Sequence, residues 1–448
     1  MITLKTKIGY GIGDLANNLM FQLSVLYLLY FFTDVAGIAP GVVGAIFLGA
    51  RIWDAVNDPM MGMLIDRTES KHGRSRVYLR YASLPLALAT ILLFRVPEIS
   101  ATGKTIYAAV TYLVWGMLYT MISIPYASMT AELTGDSQER TSLSSVRMLF
   151  MLGGVIIVSV ATEPLTGFFQ NLKTGYFYTA IIYSAIAFII FQVCFMATGR
   201  PMREAGLENG KRKKSTYGIA ETFRIVSKNK QLMILTIAFL LGATAEYIRE
   251  ASVIYFVSYN MGNSSLVPIF MGIVVLSMII ANLLIPEATK RFDKKGTYMI
   301  GTVIAIAGSL IFHFIPHTNL VAVLVMAAIS SFGFTVVSTL GWAMLPDTVE
   351  YGEALTGVRS EGVIYSFFSF SQKLATALAG GIAAWTLQFT GYVAQSSTQT
   401  PLALSGILST LTFIPIIFIA LSAVILHFYN IDKKKFDEIR AELIKKNN

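Results

Sequence analysis

The sequence predicts an all-α integral membrane protein with twelve transmembrane helices in two six-helix bundles, and three observations support this prediction. Of the 448 residues, 54% are hydrophobic and 14% are charged, with a mean hydropathy of +0.62. A soluble protein carries about 25% charged residues to cover its surface. Apolar runs of roughly 20 residues, which an α-helix needs to cross the bilayer, recur along the whole chain. Basic residues gather between alternate runs.

Twelve windows meet the length criterion for a membrane span. They are 8–34, 40–66, 77–97, 105–131, 145–170, 176–198, 229–259, 265–289, 297–316, 320–346, 361–389 and 403–429. The first window is too long for a signal-peptide core and has no obvious small-residue cleavage site. We therefore expect it to be a retained helix.

The net charge of +9 follows the membrane topology and does not indicate a nucleic-acid partner. Basic clusters lie at 71–76, 200–214, 290–295 and 433–446, whereas the alternate loops contain few basic residues. Cytoplasmic loops of membrane proteins carry the excess of Lys and Arg. The sequence thus predicts a multi-pass protein of a bacterial inner (plasma) membrane with both termini in the cytoplasm.

One long polar stretch interrupts the apolar windows and predicts the domain organisation. The expected parts are an N-terminal six-helix bundle at 1–198, a cytoplasmic linker at 199–228, a C-terminal six-helix bundle at 229–429 and a cytoplasmic tail at 430–448. Each half has a basic loop between its second and third windows. This arrangement favours two repeats packed around a central pathway.

The reactive residues argue against an enzyme. Cys194 is the single cysteine, so neither an intramolecular disulfide nor a cysteine metal site is expected. The four histidines are scattered, and no nucleophile–base set or phosphate-binding glycine loop lies at one membrane depth. We expect no cofactor other than a coupling ion, Na⁺ or H⁺.

The second window holds two carboxylates on one helix face. Asp54 and Asp58 are four residues apart, so they lie about one turn apart, and Asn57 borders the same face. An ionisable group at mid-bilayer costs at least ~2.5–3.5 kcal/mol and usually faces a cavity or a partner. This set suits Na⁺ or a proton held between two acids. The alternative for Asp54 is a structural ion pair with Arg51.

Other polar residues inside the windows are candidates for a substrate site or for structural pairing. They are Asp14, Asn17, Asn18, Arg147 and Lys373, together with Glu246, Arg249 and Glu250. Lys373 could also be a structural partner for an acid elsewhere. The spacing of the last three residues lets them neutralise one another on one helix, so both a gate and a structural cluster remain open.

An acidic string at the cytoplasmic end of the tenth window is a candidate gate. Asp347, Glu350 and Glu353 form either a solvated collar or an ionic lock that opens on the cytoplasmic side. The candidate partners for the lock are Arg67, Arg140 and Arg359.

Five motifs follow one another in a fixed order along the chain: KIGYGIGD at 7–14, YFFTDVAG at 30–37, ARIWDAVNDPMMG at 50–62, IPY at 124–126 and DTVEYGE at 347–353. Together they resemble the glycoside–pentoside–hexuronide cation symporters of the major facilitator superfamily, typified by melibiose permease. The segments 356–362 and 391–395 look most like the branch that includes the glucuronide carrier.

The resemblance implies the major facilitator fold, a midplane site between the two bundles and transport by alternating access. It makes Asp54 and Asp58 the carboxylates of the cation site, with Asn57 and Ser123 as further candidate ligands. It also assigns residues to the sugar: Asn18, Tyr119, Arg147 and Lys373 in contact, and Asn17, Thr120, Ser123, Ser369 and Gln372 in the surrounding shell.

Three positions depart from melibiose permease. Asn18 and Ser123 are neutral where that protein has carboxylates, and Ala127 replaces a tryptophan. Because Arg147 and Lys373 are retained, we expect a more positive pocket, which suits a carboxylate or sulfonate on the ligand. The expected partners are an acidic sugar such as a hexuronide, a monovalent cation and membrane lipid. A neutral glycoside or pentoside is the alternative, and a lipid carrier or a non-transporting sensor are the remaining rivals.

Overall fold

A computed structural model describes the chain except residues 1, 2, 69, 71, 72, 74, 135, 136, 200–227, 357–360, 395, 397, 433, 434, 437 and 440–448. The chain divides into two compact units, Met1–Lys213 with Val393–Ser397, and Lys214–Tyr392 with Thr398–Asn448. The boundaries of the predicted linker and tail stay predictions, because most of both segments lie outside the described residues.

The first unit contains seven α-helices in its described residues. They are α1 (Leu4–Tyr30), α2 (Pro40–Arg67), α3 (Arg76–Tyr81), α4 (Ser83–Leu93), α5 (Ala101–Leu133), α6 (Ser137–Gly167) and α7 (Leu172–Ala197). Helix α1 lies at the centre of the packing, against α6 and α7, while α2 packs on α5. Helices α3 and α4 are separated only by Ala82, so together they form one rod.

The second unit contains six further α-helices in the part of the chain that the structure describes. They are α8 (Lys230–Tyr255), α9 (Val267–Phe314), α10 (Leu320–Thr356), α11 (Glu361–Phe389), α12 (Pro401–Leu411) and α13 (Phe413–His427). Helix α9 is two helices joined at a kink, where Asp293 has a φ of 61°. Helix α8 packs against α10, α11 and α13.

The predicted fold class is confirmed. The described residues contain helices and no strand, and they form six rods in each unit when α3/α4 and α12/α13 are joined and α9 is divided at its kink. Length and hydropathy alone identify eight candidate spans. Among the predicted windows that are not counted separately, α3/α4 is short and the two windows of α9 form one continuous segment.

Each unit ends its first helix in the same unusual way. Helix α1 is 27 residues long and continues as a π-helical turn at Phe31–Val35, and α8 is 26 residues long and continues as one at Phe256–Asn260. The amide after each turn donates to the first phenylalanine, at 2.8 Å to Phe31 O and 3.0 Å to Phe256 O. A left-handed glycine follows each turn, Gly37 (φ 73°) and Gly262 (φ 68°). The two units therefore share a backbone device as well as a helix order.

Glu98 links the first turns of α5 and α7. Its carboxylate pairs with Lys173, at the start of α7, and at 2.9 Å with Lys104, in α5. These two lysines lower the pKa of Glu98 to about 2 through hydrogen bonds and charge. Two of the few basic residues in the alternate loops are thus paired with an acid. Because the Glu98 side chain is 72% exposed, solvent screens the pairs and we assign them little stabilising energy.

Close packing of α9 against α10 depends on glycine. A Cβ added at Gly333 would lie 2.3 Å from the Ala305 amide nitrogen and 2.5 Å from the Gly301 carbonyl oxygen. Both of these atoms are backbone, so they cannot turn aside. The two helices approach each other at this point because the side chain is a hydrogen atom, as is common where membrane helices pack.

We predict that Gly333→Ala destabilises the second unit by about 1–3 kcal/mol or more, because an added methyl group overpacks this contact. The measurement is the thermal unfolding midpoint of the purified protein in detergent. Gly49→Ala in α2 is the matched control, since nothing lies within 4 Å of its added Cβ. Equal midpoints for the two variants would show that the contact is looser than described.

Candidate functional site

The centre of the candidate site is an ion pair between α1 and α6. The Arg147 guanidinium donates to Asp14 through Nε at 2.5 Å and through Nη2 at 3.3 Å. The side chains of Arg147 and Asp14 are 23% and 14% exposed, so the pair is mostly withdrawn from solvent. A two-point hydrogen-bonded pair fixes the plane of the guanidinium as well as its position.

Small residues at the α1–α6 contact allow this pair to form. An added Cβ at Gly11 would meet Val146 Cγ1 at 2.7 Å, and one at Gly154 would meet Asn18 Cβ at 2.7 Å. The two helix axes are therefore close on both sides of the pair. The glycines in the KIGYGIGD motif thus have a packing role, and its final residue, Asp14, supplies the charge.

Two tyrosines enclose the guanidinium of Arg147. Its central carbon lies 4.7 Å from the ring centre of Tyr126 and 5.6 Å from that of Tyr10. The rings are tied by reciprocal hydrogen bonds, Tyr10 Oη to Tyr126 O at 2.9 Å and Tyr126 Oη to Tyr10 O at 2.7 Å. Arg147 is thus held by a carboxylate and by aromatic faces, which favour a planar cation.

The two asparagines on α1 have different environments. The Asn18 amide donates to the Asp14 carbonyl at 2.9 Å, so part of its hydrogen-bonding capacity is used within the helix. Asn17 is buried at 4% exposure, and its Oδ1 has no hydrogen-bond partner. Their predicted contact with the sugar stays a prediction.

Asp54 is paired with Arg51 on the same helix. Arg51 Nη1 lies 2.5 Å from Asp54 Oδ2, and Nη2 donates to Tyr112 Oη on α5 at 3.1 Å. The two side chains are 12% and 5% exposed. The structural ion pair considered as the alternative for Asp54 is therefore present, and a cation at Asp54 has to share the carboxylate with Arg51.

Asp58 lies against a hydroxyl group of α5. Thr120 Oγ1 donates to Asp58 Oδ1 at 3.1 Å, and Thr120 is buried at 1% exposure. The resemblance placed Thr120 in the sugar shell, whereas its described contact is with the predicted cation carboxylate. Asn57 has a buried Nδ2 without a hydrogen-bond partner. Ser123 is half-buried on α5, three residues after Thr120.

A stack of aromatic rings runs along α5, starting at the tyrosine that binds Arg51. The ring centres of Tyr112 and Trp115 are 6.0 Å apart, those of Trp115 and Tyr119 are 5.4 Å apart, and Phe21 stacks on Tyr119 at 5.4 Å. Trp115 is anchored by its Nε1 to Thr90 Oγ1 at 3.1 Å. Tyr112 binds Arg51, so the stack connects the Arg51–Asp54 pair to the predicted sugar residue Tyr119.

The predicted substrate residues of the second unit lie on α11. Ser369, Gln372 and Lys373 are half-buried, and Gln372 Nε2 donates to Tyr247 Oη on α8 at 3.0 Å. The assignment of these three residues to the sugar stays a prediction.

The predicted gate has a partner that the sequence analysis did not name. Lys294, just after the kink in α9, lies 2.7 Å from both carboxylate oxygens of Asp347. Both residues belong to the second unit. The side chains of the proposed partners Arg67, Arg140 and Arg359 lie outside the described residues. Glu350 has a buried Oε2 without a hydrogen-bond partner, and Glu353 is half-buried.

Sequence reasoning missed two of these partnerships. Asp14 was one of several buried polar residues, with no indication that it binds Arg147, 133 residues away. Lys294 was counted only as part of a basic loop. The place of Asp14 at the end of a glycine-rich motif is a signal that could have found it, whereas nothing in the sequence distinguishes Lys294 from the other basic residues of its loop.

We predict that Asp14→Asn lowers the free energy of unfolding by about 1.5–3 kcal/mol, because it leaves Arg147 without its charged acceptor. The double variant Asp14→Asn/Arg147→Gln should recover part of this loss, and thermal unfolding in detergent measures both. Glu287→Gln is the control, since it removes an exposed pair with Lys290 that contributes little. Additive losses in the double variant would contradict the pair's role.

Comparison with known proteins assigns the family. A family model described as MFS/sugar transport protein matches residues 9–433. The chain is 36% identical over 450 residues to the symporter YjmB of Bacillus subtilis (strain 168), with 99% of this chain and 96% of the relative covered. It is 33% identical to an isoprimeverose transporter of Lactiplantibacillus pentosus, covering 97% and 90%. A glucuronide carrier protein homologue of Escherichia coli (strain K12) is 32% identical, covering 99% and 96%.

A solved structure supports the same fold. The D-xylose-proton symporter matches with a TM-score of 0.70 over 97% of this chain and 98% of its own, at 13% identity. At this identity the likeness concerns the fold alone. Together with the full-length relatives, the match over 9–433 shows that the chain belongs to the glycoside–pentoside–hexuronide cation symporter family of the major facilitator superfamily, whose members are membrane transporters and not enzymes.

Proposed function

We propose that this protein transports an acidic sugar or glycoside, such as a hexuronide, together with Na⁺ or H⁺ by alternating access. The observation that carries the proposal is the Arg147 guanidinium, held in place by Asp14 and two tyrosines and still 23% exposed. A fixed arginine with free N–H groups is suited to bind a carboxylate. Basic loops support a bacterial inner membrane location with both termini in the cytoplasm.

Asp14 uses only some of the N–H donors of Arg147. Asp14 accepts from Nε and from Nη2. A guanidinium has five N–H groups, so three remain for a substrate. A substrate carboxylate at these donors would lie near the Asp14 carboxylate as well, which opposes its binding. A further cation would favour the substrate carboxylate, and Lys373 is the lysine that the family resemblance assigns to the sugar.

The formal charges of the assigned residues support an anionic substrate. In the first unit, three carboxylates and two guanidiniums give a net charge of −1; they are Asp14, Asp54, Asp58, Arg51 and Arg147. Lys373, which the family resemblance assigns to the sugar, would bring the formal total of the assigned residues to zero. A monovalent cation and a monoanionic sugar then leave it at zero, whereas either one alone does not. Uncompensated charge inside the membrane is costly, so this balance favours movement of the empty and the doubly loaded protein only.

The proposed cation site is centred on Asp58. Its carboxylate and the Thr120 hydroxyl lie 3.1 Å apart, and Asn57 immediately precedes Asp58 on α2. Carboxylate, hydroxyl and amide oxygens suit Na⁺, and the same carboxylate can bind a proton. Asp54 contributes negative charge through its pair with Arg51. Because Thr120 adjoins Tyr119 on α5, a cation at Asp58 also fixes the predicted sugar residue.

The coupling is reciprocal. If a cation at Asp58 raises the affinity for sugar by some factor, the sugar raises the affinity for the cation by the same factor. The ring stack joins Arg51 to Tyr119 on α5, and Thr120, the hydrogen-bond partner of Asp58, is the next residue along that helix.

A neutral glycoside or pentoside is the second candidate substrate, and the Asp14–Arg147 pair is the observation that favours it. The pair is neutral overall and offers both donors and acceptors, which sugar hydroxyls can use without extra charge. The names of the relatives support both classes, one being a glucuronide carrier homologue and another an isoprimeverose transporter.

We predict that membrane vesicles with the wild-type protein accumulate p-nitrophenyl glucuronide against its gradient when an inward Na⁺ or H⁺ gradient is imposed. Asp58→Asn should only equilibrate the substrate, because the variant loses the coupling carboxylate. Separate Na⁺ and H⁺ gradients identify the ion. Glu287→Gln, an exposed change, should accumulate it as the wild type does.

Two results would count against this proposal. Full accumulation by Asp58→Asn would exclude Asp58 from coupling. Accumulation of p-nitrophenyl galactoside that uronides do not inhibit would replace the acidic substrate by the neutral one, while leaving the symport class in place.

We also predict that Thr120→Val raises the cation concentration that half-saturates transport by about three- to tenfold. This is the effect of losing one hydrogen bond of about 0.5–1.5 kcal/mol to the ion site. The maximal rate at saturating cation should change little. Thr111→Val is the control on the same helix, because the Thr111 hydroxyl donates only to backbone carbonyls. An unchanged half-saturation value in Thr120→Val would remove Thr120 from the cation site.

A further inference from the structure

Three charged residues of α8 lie outside the site described above. Arg249 and Glu250 follow Glu246 by three and four residues on one helix of the second unit. This segment is long and apolar enough to span the membrane. Two carboxylates and one guanidinium give the cluster a formal charge of −1. Neither the proposed cation site nor the sugar residues account for it.

Arg249 is bound to serines of α10. Its Nη2 lies 2.7 Å from Ser330 Oγ and 3.3 Å from Ser331 Oγ, and its central carbon lies 4.4 Å from the ring centre of Phe334. Arg249 is 8% exposed. This guanidinium therefore binds neutral hydroxyl groups and an aromatic face.

The two glutamates are not paired with Arg249. Among the described residues, no ion pair within 4 Å joins Arg249 to Glu246 or Glu250, although the three groups are close enough to interact electrostatically. Arg249 Nε and Glu250 Oε2 are both buried without a hydrogen-bond partner. The Ser338 side chain lies close to the Glu246 carboxyl.

Charged carboxylates without a partner are among the most expensive groups to place in hydrocarbon. A bound proton makes one carboxyl neutral and brings the cluster from −1 to zero. Glu250 is the better acceptor, since Glu246 has a hydroxyl group available to stabilise its charge. We propose that Glu250 binds a proton at neutral pH, which makes Glu246, Arg249 and Glu250 a proton-binding site of the second unit, separate from Asp58.

The surroundings supply few other charges. The segments of α9 after Gly296, and α12 and α13 up to Leu426, contain no Asp, Glu, Lys or Arg. Helix α10 presents Ser330, Ser331 and Phe334, and its acids begin at Asp347. Helix α11 contributes Lys373, next to the Gln372 that binds Tyr247. Lys373 is therefore a cation on a packed helix whose movement would change the protonation of this cluster, and Glu361 is the acid on the same helix.

Proton binding by this cluster is independent of the transport of any particular sugar. A proton on Glu250 leaves Arg249 free to hold α8 against α10 through the serines. Release of that proton creates a carboxylate one position along the chain from Arg249. The guanidinium then has a charged competitor for its hydrogen bonds to Ser330 and Ser331, so protonation and the α8–α10 contact are linked.

The test is infrared spectroscopy of the full-length protein reconstituted in lipid at neutral pH. The carbonyl band of a protonated carboxylic acid is separate from the bands of carboxylates and shifts on exchange into D₂O. We expect the wild type to show this band and Glu250→Gln to lose the amplitude of one carboxyl group. Glu246→Gln should keep it, and so should the exposed control Glu287→Gln.

A wild-type spectrum without a protonated-carboxyl band would overturn the proposal before any variant is compared. Retention of the full band in Glu250→Gln, or its loss in Glu246→Gln alone, would overturn the assignment to Glu250. Glu250→Gln preserves shape and mimics the neutral acid, so its thermal unfolding midpoint should match the wild type. Because no sugar is needed, failure of this proposal and failure of the symport proposal are distinguishable.

Discussion

Hydrocarbon solvates charge poorly, and this constraint accounts for the contacts of the charged residues at the candidate site of the first unit. Arg147 is bound by Asp14, and Arg51 by Asp54, while Asp58 accepts a hydrogen bond from Thr120. The glycines of α1 and α6 allow the helices to approach closely enough for the Asp14–Arg147 pair. The close packing of α1 and α6 and the ion pairs of the candidate site therefore meet the same requirement, which is that an intramembrane charge lies beside a partner.

The two units meet this requirement with different chemistry. The first pairs its arginines with carboxylates, so its site can exchange an internal partner for a substrate or a cation. The second places Arg249 on the hydroxyl groups of α10 and leaves its own glutamates without that cation. In the first unit, a ligand has to bind before an arginine or a carboxylate changes its hydrogen-bond partner. In the second unit, gain or loss of a proton at Glu250 is enough to change the hydrogen bonds of Arg249.

The sequence predicted the helical rods well because hydropathy over about 20 residues reports directly on the surrounding solvent. It also placed Asp54 and Asp58 on one helix face and named Arg51 as a partner, since contacts three or four residues apart follow from helix geometry. The Asp14–Arg147 and Lys294–Asp347 pairs join residues far apart in the chain, and no local period encodes them. The break at Thr412 and the kink at Asp293 were likewise invisible, because apolar residues continue through the first and a basic loop masks the second.

The matching π-helical turns at the ends of α1 and α8 bear on the history of the chain. Such turns are rare, and each contains one more residue per turn than an α-helix. FFTDV and FVSYN share little beyond the first phenylalanine, yet both form the turn and precede a left-handed glycine at the same distance. Two independent insertions at one equivalent position are a poor explanation. The economical account is a single insertion in an ancestral gene of half this length, followed by duplication, after which the side chains diverged and the backbone shape was inherited.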